Sequence, residues 1–337
     1  MAIFIDNVID LALLWLPNFA VFFSLLLALI LDKVFGEAKY FHYLVGFGWL
    51  ANKLAEQLNP EHSTQGAIQA KLLGTLAWCL LVLPLPMSYF YFCNNLIWYW
   101  QILLDAYVLY LCIGLKSLYL HAMQIYRPLK SGDLSGARHF TGYIVSRETA
   151  ALTEQEMSRA TVESMLENGH DAVIASLIYY LIGGAPLVIL HRFANTLDAM
   201  WGYKNTRYQH FGYASAKFDD LLGFISGKCC TLLYALQGLA QGRFIPAMVN
   251  AFQQGNKYKS HNGGWVMASG ATVLNRKLGG SAHYHGKVIH SVTLGSGKNI
   301  TCDDITSSLQ LVSRASLLLF ACVFVFQLAS SFSKIFL

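Results

Sequence analysis

The chain has 337 residues, 55% of them hydrophobic and only 13% charged, where a soluble domain carries about 25% charged residues. Mean hydropathy is +0.42 and net charge +5. These values exclude a wholly soluble, disordered or collagen-like protein. The positive charge is diffuse, with no run of like charges, so nucleic acid is not an expected partner. None of the seven cysteines forms a CxxC and four fall in apolar stretches. They read as buried thiols in a reducing setting, with no zinc site.

The first long apolar run, 11–31, ends at Asp32-Lys33. It matches the roughly 20 residues that cross a hydrocarbon core of about 30 Å. Its N-terminal flank holds Asp6 and Asp10 but no Lys or Arg, and no small-residue cleavage site follows, so it reads as an anchor. Gly46-x-Gly48-x-x-Ala51 imitates a dinucleotide fingerprint without the βαβ unit that would give it meaning. A second span is expected over 72–92, bent or broken at Pro84 and Pro86. A third covers 96–118, with Asp105 near its middle. An ionisable residue there marks either a functional site or a side chain paired within the bundle.

The apolar stretch 172–193 carries Gly183-Gly184-Ala185-Pro186 at its centre, which should interrupt a helix. The stretch 221–240 is interrupted by Gly223, Gly227 and Lys228, and 315–332 forms the fourth span. Lys33, Lys39, Lys53 and Lys71 lie between the first two spans, and Arg127, Lys130, Arg138, Arg147 and Arg159 follow the third. The positive-inside rule then puts the N-terminus outside and segments 32–71, 119–171 and 241–314 inside. Both ambiguous stretches must cross, or neither. The reading adopted is that neither does: 172–193 is a broken, re-entrant or monotopic hairpin and 221–240 a surface-lying helix. The fold class is therefore mainly α, a polytopic membrane protein with about four transmembrane helices, built as one membrane-embedded domain over 1–337.

Two polar segments, 119–171 and 194–220, are dense in functional residue types, and a third, 241–314, lies C-terminal to them. Thr153 and Glu156 form a capping box that starts a helix running to about Asn168, with Gly169 as its left-handed stop. Arg159, Glu163 and Glu167 recur every four residues on one face, with Asp171 just beyond. A solvated salt-bridge stripe would look the same. Farther on come Asn195, Asp198, Lys204, Arg207, Lys217, Asp219 and Asp220. Carboxylates beside cations suit Mg²⁺–phosphate chemistry, yet a membrane-edge loop anchored by Trp201, Tyr203 and Tyr208 would read alike. There is no Walker A motif. His283, His285 and His290 sit in a strand-like stretch with no evident third metal ligand.

At these residues the chain resembles the CobD/CbiB family of adenosylcobinamide-phosphate synthases, over about residues 25–318. Val162-Glu163-Ser164-Met165-Leu166-Glu167-Asn168-Gly169-His170-Asp171 resembles the family's VE(S/T)xAEN…DG run. Gly183-Gly184-Ala185-Pro186 follows, and 195–203 looks like NTLDSMVGY. Ala216-Lys217-Phe218-Asp219-Asp220 parallels AR(L/M)DD, Ser260-His261-Asn262-Gly263-Gly264-Trp265 resembles SPNAGW, and Leu278-Gly279-Gly280 matches LGG.

The resemblance implies an ATP- and Mg²⁺-dependent amide ligase of cobalamin biosynthesis or salvage, in the cell inner membrane with a cytoplasmic site. Its partners would be a corrinoid substrate, a small amino alcohol or its phosphate, and the lipid bilayer; a homo-oligomer stays open. On the matching positions it implies Glu163, Glu167, Asn168 and Asp171 as catalytic residues, and Asp198, Asp219 and Asp220 as metal ligands. Arg147, Asn195, Lys204, Arg207, Lys217 and Asn262 would bind the cofactor. The family's D…GDP…HPV appears as Asp32, Gly36-Glu37-Ala38 and His42-Tyr43-Leu44, and GRDT as Ser146-Arg147-Glu148-Thr149. Both carboxylates are altered or lengthened, and His261 replaces a proline. The rival readings are a non-catalytic membrane sensor or accessory paralogue and a transporter.

Overall fold

The computed structural model describes residues 16–37, 42–60, 66–93, 95–145, 148–203, 205–284 and 287–336, with the side chains of 281–289 and 334–336 left out. Five stretches are long and apolar enough to cross a membrane: Leu16–Phe35, Ala67–Cys93, Trp98–Ser131, Glu154–Trp201 and Asp303–Ser333. The protein is a mainly α, multi-pass membrane protein, and four of the five overlap the spans expected from hydropathy.

Helix α1 (Ala20–Phe35) runs beside α5 (Trp98–Cys112), while α2 (Tyr43–Leu58) leads into α3 (Ala67–Val82). The second span breaks at Leu83, where Pro84 opens α4 (Pro84–Cys93). Proline lacks an N–H and is tolerated at a first helical position, so the break falls just ahead of it. The third span also continues beyond its expected end, through Ile113-Gly114 into α6 (Leu115–Ser131). The polar segment 119–171 therefore begins on a helix. After the short α7 (Leu134–Thr141) comes α8 (Glu154–Gly169), opened by the Thr153–Glu156 capping box with both of its reciprocal bonds present.

Gly169 is not the expected helix stop. Its φ is −60°, and the chain continues through a π turn (His170–Ile174) into α9 (Ala175–Trp201). Here the glycine serves close packing: a Cβ would lie 2.5 Å from Val312 Cγ2 and 2.9 Å from the Tyr234 hydroxyl. The true interruption is at Gly183 (φ −150°, ψ 22°) and Gly184 (φ 65°, ψ −162°). The Gly184 conformation is essentially confined to glycine.

The chain folds back at that point. Tyr179 and His191, twelve residues apart, stack with ring centroids 4.9 Å apart, whereas a straight helix would separate them by about 18 Å. Stretch 172–193 is thus a hairpin whose arms lie side by side. Asp105 is paired within the bundle: its carboxylate accepts bonds from the Tyr89 hydroxyl (2.5 Å) and the Tyr180 hydroxyl (3.0 Å), tying α5 to α4 and to the first arm of α9.

Helix α10 (Tyr213–Leu236) buries Cys230 and Tyr234 on one face and exposes Leu221, Phe224, Ile225 and Leu232 on the other. After α11 (Phe244–Asn250) and a second π turn, α12 (His261–Val273) packs along the buried face of α10. An antiparallel hairpin of β1 (Lys277–Tyr284) and β2 (Lys287–Gly295) follows, and α13 (Asp303–Phe336) closes the chain. This hairpin is the only sheet among the described residues. Gly46 and Gly48 sit within α2, with no βαβ unit around them.

Candidate active site

The hairpin at Gly183–Gly184 returns the chain to the end of α8. On α8, the Glu163 carboxylate accepts the Gly279 N–H at 2.7 Å, which docks β1 against the helix. One turn on, Glu167 lies against Gly263; a Cβ there would be 2.5 Å from its Oε1. Asn168 points its amide back to the Ser164 carbonyl and hydroxyl, at 2.9 and 3.0 Å. In the π turn, His170 Nδ1 lies 2.7 Å from Asp171 Oδ1, and His170 Nε2 lies 2.9 Å from the Ser226 hydroxyl of α10. Asp171 is also within electrostatic reach of His191 and Arg192 on the returning arm.

On that arm, Asn195 donates to Asp219 Oδ1 at 3.2 Å, which joins α9 to α10. The Asp198 carboxylate folds over Gly202, where a Cβ would stand 2.0 Å from Oδ1, so only glycine fits. Asp219 feels the charges of Asp171, Asp198 and Asp220, and Asp198 those of Asp220 and Asp171. Burial pushes the Asp219 carboxyl up to about 8, with the charges of Asp171 and Asp198 adding to the effect. Asp220 differs from its neighbour: it is exposed and lies 3.6 Å from Lys217 Nζ. Successive helical residues point about 100° apart: Asp219 is hydrogen-bonded to Asn195 of α9, whereas exposed Asp220 acts on Asp198 through its charge. Asn262 of α12 donates to the Asp220 carbonyl at 2.9 Å, a backbone contact between helices. The Arg207 ring of charge stacks over Tyr208, 5.2 Å from its centroid, while its carbonyl accepts from Asn59.

The structure therefore brings together Glu163, Glu167, Asn168, Asp171, Asn195, Asp198 and Asp219. Asp220 and Lys217 stand at the exposed edge, and Asn262 supports α10 from behind. Arg147, Lys204 and His285 lie outside the described residues, as does the side chain of His283. Among the described residues, no three His, Cys, Asp or Glu side chains approach closely enough to hold one ion.

A cavity of about 320 Å³ opens beside this cluster, lined by Glu37, Ser117, His121, Ser164, Asn168 and Arg192 among others. Glu37, the lengthened carboxylate of the N-terminal motif, is held by the Ser117 hydroxyl at 2.5 Å and by His42 Nε2 at 2.9 Å. The sequence reading missed Arg192, whose Nε is buried without a hydrogen-bond partner in the described structure. The signal was a basic pair, His191-Arg192, inside an otherwise apolar run. At the altered SPN position, His261 Nε2 lies 2.8 Å from Lys228 Nζ, which sits 3.0 Å from the centroid of the Trp265 ring. Burial lowers Lys228 to about 8.

The family model described as CobD/Cbib protein matches residues 25–312. A cobalamin biosynthesis protein CobD of Chromobacterium violaceum is 40% identical over 289 residues, covering 86% of this chain and 91% of that protein. The protein of the same name from Stutzerimonas stutzeri is 41% identical over 299 residues, 87% of this chain and 93% of its own. That of Halalkalibacterium halodurans is 34% identical over 294 residues, 86% and 91%. No solved structure matches. The match spans every helix that contributes to the acidic cluster and to the cavity beside it, and the chain belongs to the CobD/CbiB family.

Proposed function

We propose that this protein works in cobalamin biosynthesis or salvage as an ATP- and Mg²⁺-dependent amide ligase. It joins aminopropanol or its phosphate to a propionate carboxyl of adenosylcobyric acid, releasing ADP and phosphate. The observation that supports this reading is the reversal at Gly183–Gly184, which puts Arg192 with Asn168 in the wall of one cavity and Asp171 within electrostatic reach of the returning arm. The site is taken to open on the cytoplasmic side of the inner membrane, where ATP is available.

A carboxylate is inert to an amine until one of its oxygens can leave; ATP supplies the phosphoryl group for this and Mg²⁺ screens its charge. The donor set suits that ion. Mg²⁺ is commonly held by one or two carboxylates, with water and phosphate oxygens completing its shell. Asp219, oriented by Asn195, and Asp198, folded over Gly202, meet that demand without a third protein ligand. Arg192, with an unsatisfied buried Nε at the cavity wall, neutralises phosphate oxygens. Glu167, close to Asp171 and Lys259, takes the proton that the attacking ammonium must lose. Asn168 and Glu37 hold the corrinoid carboxyl and its side chain in place at the cavity.

The test is amide formation by the detergent-purified protein, with a cobyric-acid corrinoid, Mg²⁺, ATP and short amino alcohols or their phosphates. The expected result is ATP-dependent product. Product without ATP, or none with any amine tried, overturns the reading.

A further inference from the structure

Helix α10 belongs to none of the five membrane-length stretches, yet both of its ends are tied to helices that do. At its start, Phe218 lies against Trp78 of α3 with ring centroids 4.3 Å apart, and Lys71 Nζ sits 4.5 Å from the Tyr213 ring centroid. Lys71 and Trp78 are four and eleven residues beyond Ala67, so this end of α10 lies beside about the first 17 Å of that span. At the far end, Gln237 Nε2 donates to the Leu311 carbonyl of α13 at 3.0 Å, just ahead of the apolar stretch that starts at residue 315. Between these two points the chain crosses at Ala67–Cys93, returns along Trp98–Ser131 and folds back on itself within 172–193. Both ends of α10 therefore sit at the same face of the bilayer, the face of the candidate site. The 24-residue helix between them, about 36 Å long, runs along that face.

The outer side of this helix is apolar. Leu221, Phe224, Ile225 and Leu232 are exposed, at spacings that keep them on one stripe. Ile245 and Val249 of α11 and Phe252 in the second π turn are exposed as well, again four and three residues apart. The two sets form one surface. Phe252 meets Trp265 edge-on, with ring centroids 5.9 Å apart, and Lys228 Nζ lies 3.0 Å from the Trp265 centroid and 5.1 Å from that of Phe224. Lys228 is the one charged residue between Leu221 and Leu232, and it lays its amine on aromatic rings. By contrast, α8, α12 and residues 290–314 expose no large apolar side chain among the described residues. A contiguous exposed apolar patch of this kind marks a contact with another apolar phase or partner.

We infer that α10 and α11 form a shelf seated in the lipid leaflet on the side of the candidate site, with this face among acyl chains and Lys228 and Trp265 at the headgroups. The course of the helix selects lipid as the partner. A surface that follows the membrane boundary from one span to another meets acyl chains before any soluble protein, and an interfacial helix buries its apolar face about 5–10 Å into the leaflet. Trp and Lys anchor such a boundary, the ring within it and the amine reaching to phosphate. The seating also bears on the site. Asp219 of the same helix is bonded to Asn195, while Asp220 and Lys217 are exposed beside Leu221. The acidic cluster therefore opens within one helical turn of the lipid surface. The seating does not depend on the ligase reading.

The test uses the wild-type protein in liposomes of phosphatidylcholine and phosphatidylglycerol, irradiated with a lipid-dissolved diazirine, with adducts mapped by mass spectrometry. Peptides covering 221–232 and 244–252 should be labelled as strongly as 317–326 of α13, whose side chains face outward in a span, and α8 should stay unlabelled. Nitroxides on Ile225→Cys and Ile245→Cys then give depth. Both should lie about 5–10 Å below the lipid phosphates, colliding with molecular oxygen more often than with a water-soluble nickel chelate. A nitroxide on Lys298→Cys should show the reverse. The photolabelling needs no substitution, so it decides the matter even if a cysteine variant fails to fold. Nitroxides at 225 and 245 open to the nickel chelate, or photolabelling of both peptides no stronger than that of α8, overturn the seating. So does shielding of both positions from oxygen and chelate alike, which would mean that a second copy of the chain covers the face.

Discussion

Two kinds of apolar helix in this molecule look alike in hydropathy and differ in what covers them. In Leu16–Phe35 and Asp303–Ser333, 22% of the most apolar window is buried inside the protein, against 61% in Glu154–Trp201. The outer helices leave Ile30, Val34, Leu317 and Val325 facing outward. Stretch 154–201 instead carries Glu163, Glu167, Asp171, His191 and Arg192, a charge load that lipid would not accept. It is tolerated because α10, α12 and α13 pack against it. Hydrophobicity thus reports that a segment is kept from water, and only packing decides whether lipid or protein does so.

The sharpest way to break the distinction is at the reversal. Gly184→Val places a β-branched residue in a conformation open only to glycine, a strain of about 1–3 kcal/mol or more. It should abolish amide formation, by more than about 100-fold, and lower the thermal midpoint. Gly46→Ala in α2, where a Cβ meets nothing within 4 Å, should change neither. Equal effects of the two would mean that the returning arm does not build the site.

The paired aspartates should separate next. Asp219→Asn is expected to cut turnover about 100-fold, and Asp220→Asn no more than a few-fold, because Asp219 is hydrogen-bonded to Asn195 while Asp220 is exposed. Asn keeps one acceptor oxygen but removes the charge that Mg²⁺ requires. The pH profile gives a second readout. With Asp219 raised to about 8, wild-type activity at subsaturating Mg²⁺ should climb with pH along a limb centred near that value. Stability should run the other way. A carboxyl raised from 3.8 stabilises the fold below 3.8 and loses that contribution as pH rises through about 8. The fall in thermal midpoint between pH 5 and pH 8 should be smaller in Asp219→Asn than in wild type.

A milder loss is expected at the cavity rim. Glu37→Gln should lower kcat/KM about tenfold, by weakening the charge-assisted bonds to Ser117 and His42. Glu37→Asp restores the family's shorter arm and should retain activity. A fully active Glu37→Gln would remove the N-terminal motif from the site.

No loss of activity is expected from single cysteines at exposed Asn205 and Lys298 in a cysteine-free background. Both should react with a membrane-impermeant reagent from the same side, the cytoplasmic one. Labelling of Asn205→Cys from outside would separate the two polar segments and end the shared-site reading.

Much of this was written locally in the chain. The Thr153–Glu156 box, the break ahead of Pro84 and the Gly183-Gly184 interruption each depend on a few neighbouring residues, and each was readable. Gly169 was misread because a glycine after a helix looks the same whether it serves a left-handed turn or the close approach of Val312 and Tyr234, which lie far away in sequence. Arg192 was overlooked for the same reason. Asn168 and Glu37, which line the same cavity, are 24 and 155 residues upstream. The docking of Glu163 on the Gly279 N–H needed the bulge in β1 as well as the placement of α8 against it, and neither has a local signature.

The π turn at His170–Ile174 sets the phase of everything that follows it. One residue beyond regular helical winding rotates all later side chains about 100° round the axis. Had the helix wound regularly, the stripe of Glu163 and Glu167 would have run straight on through Asp171 along a single edge. With the extra residue, His170 turns inward to Ser226 and Asp171 remains in reach of the returning arm. Deleting a single residue there, leaving every named side chain present, would swing the whole hairpin out of register with α8. The candidate site is held together as much by a count of residues as by their chemistry.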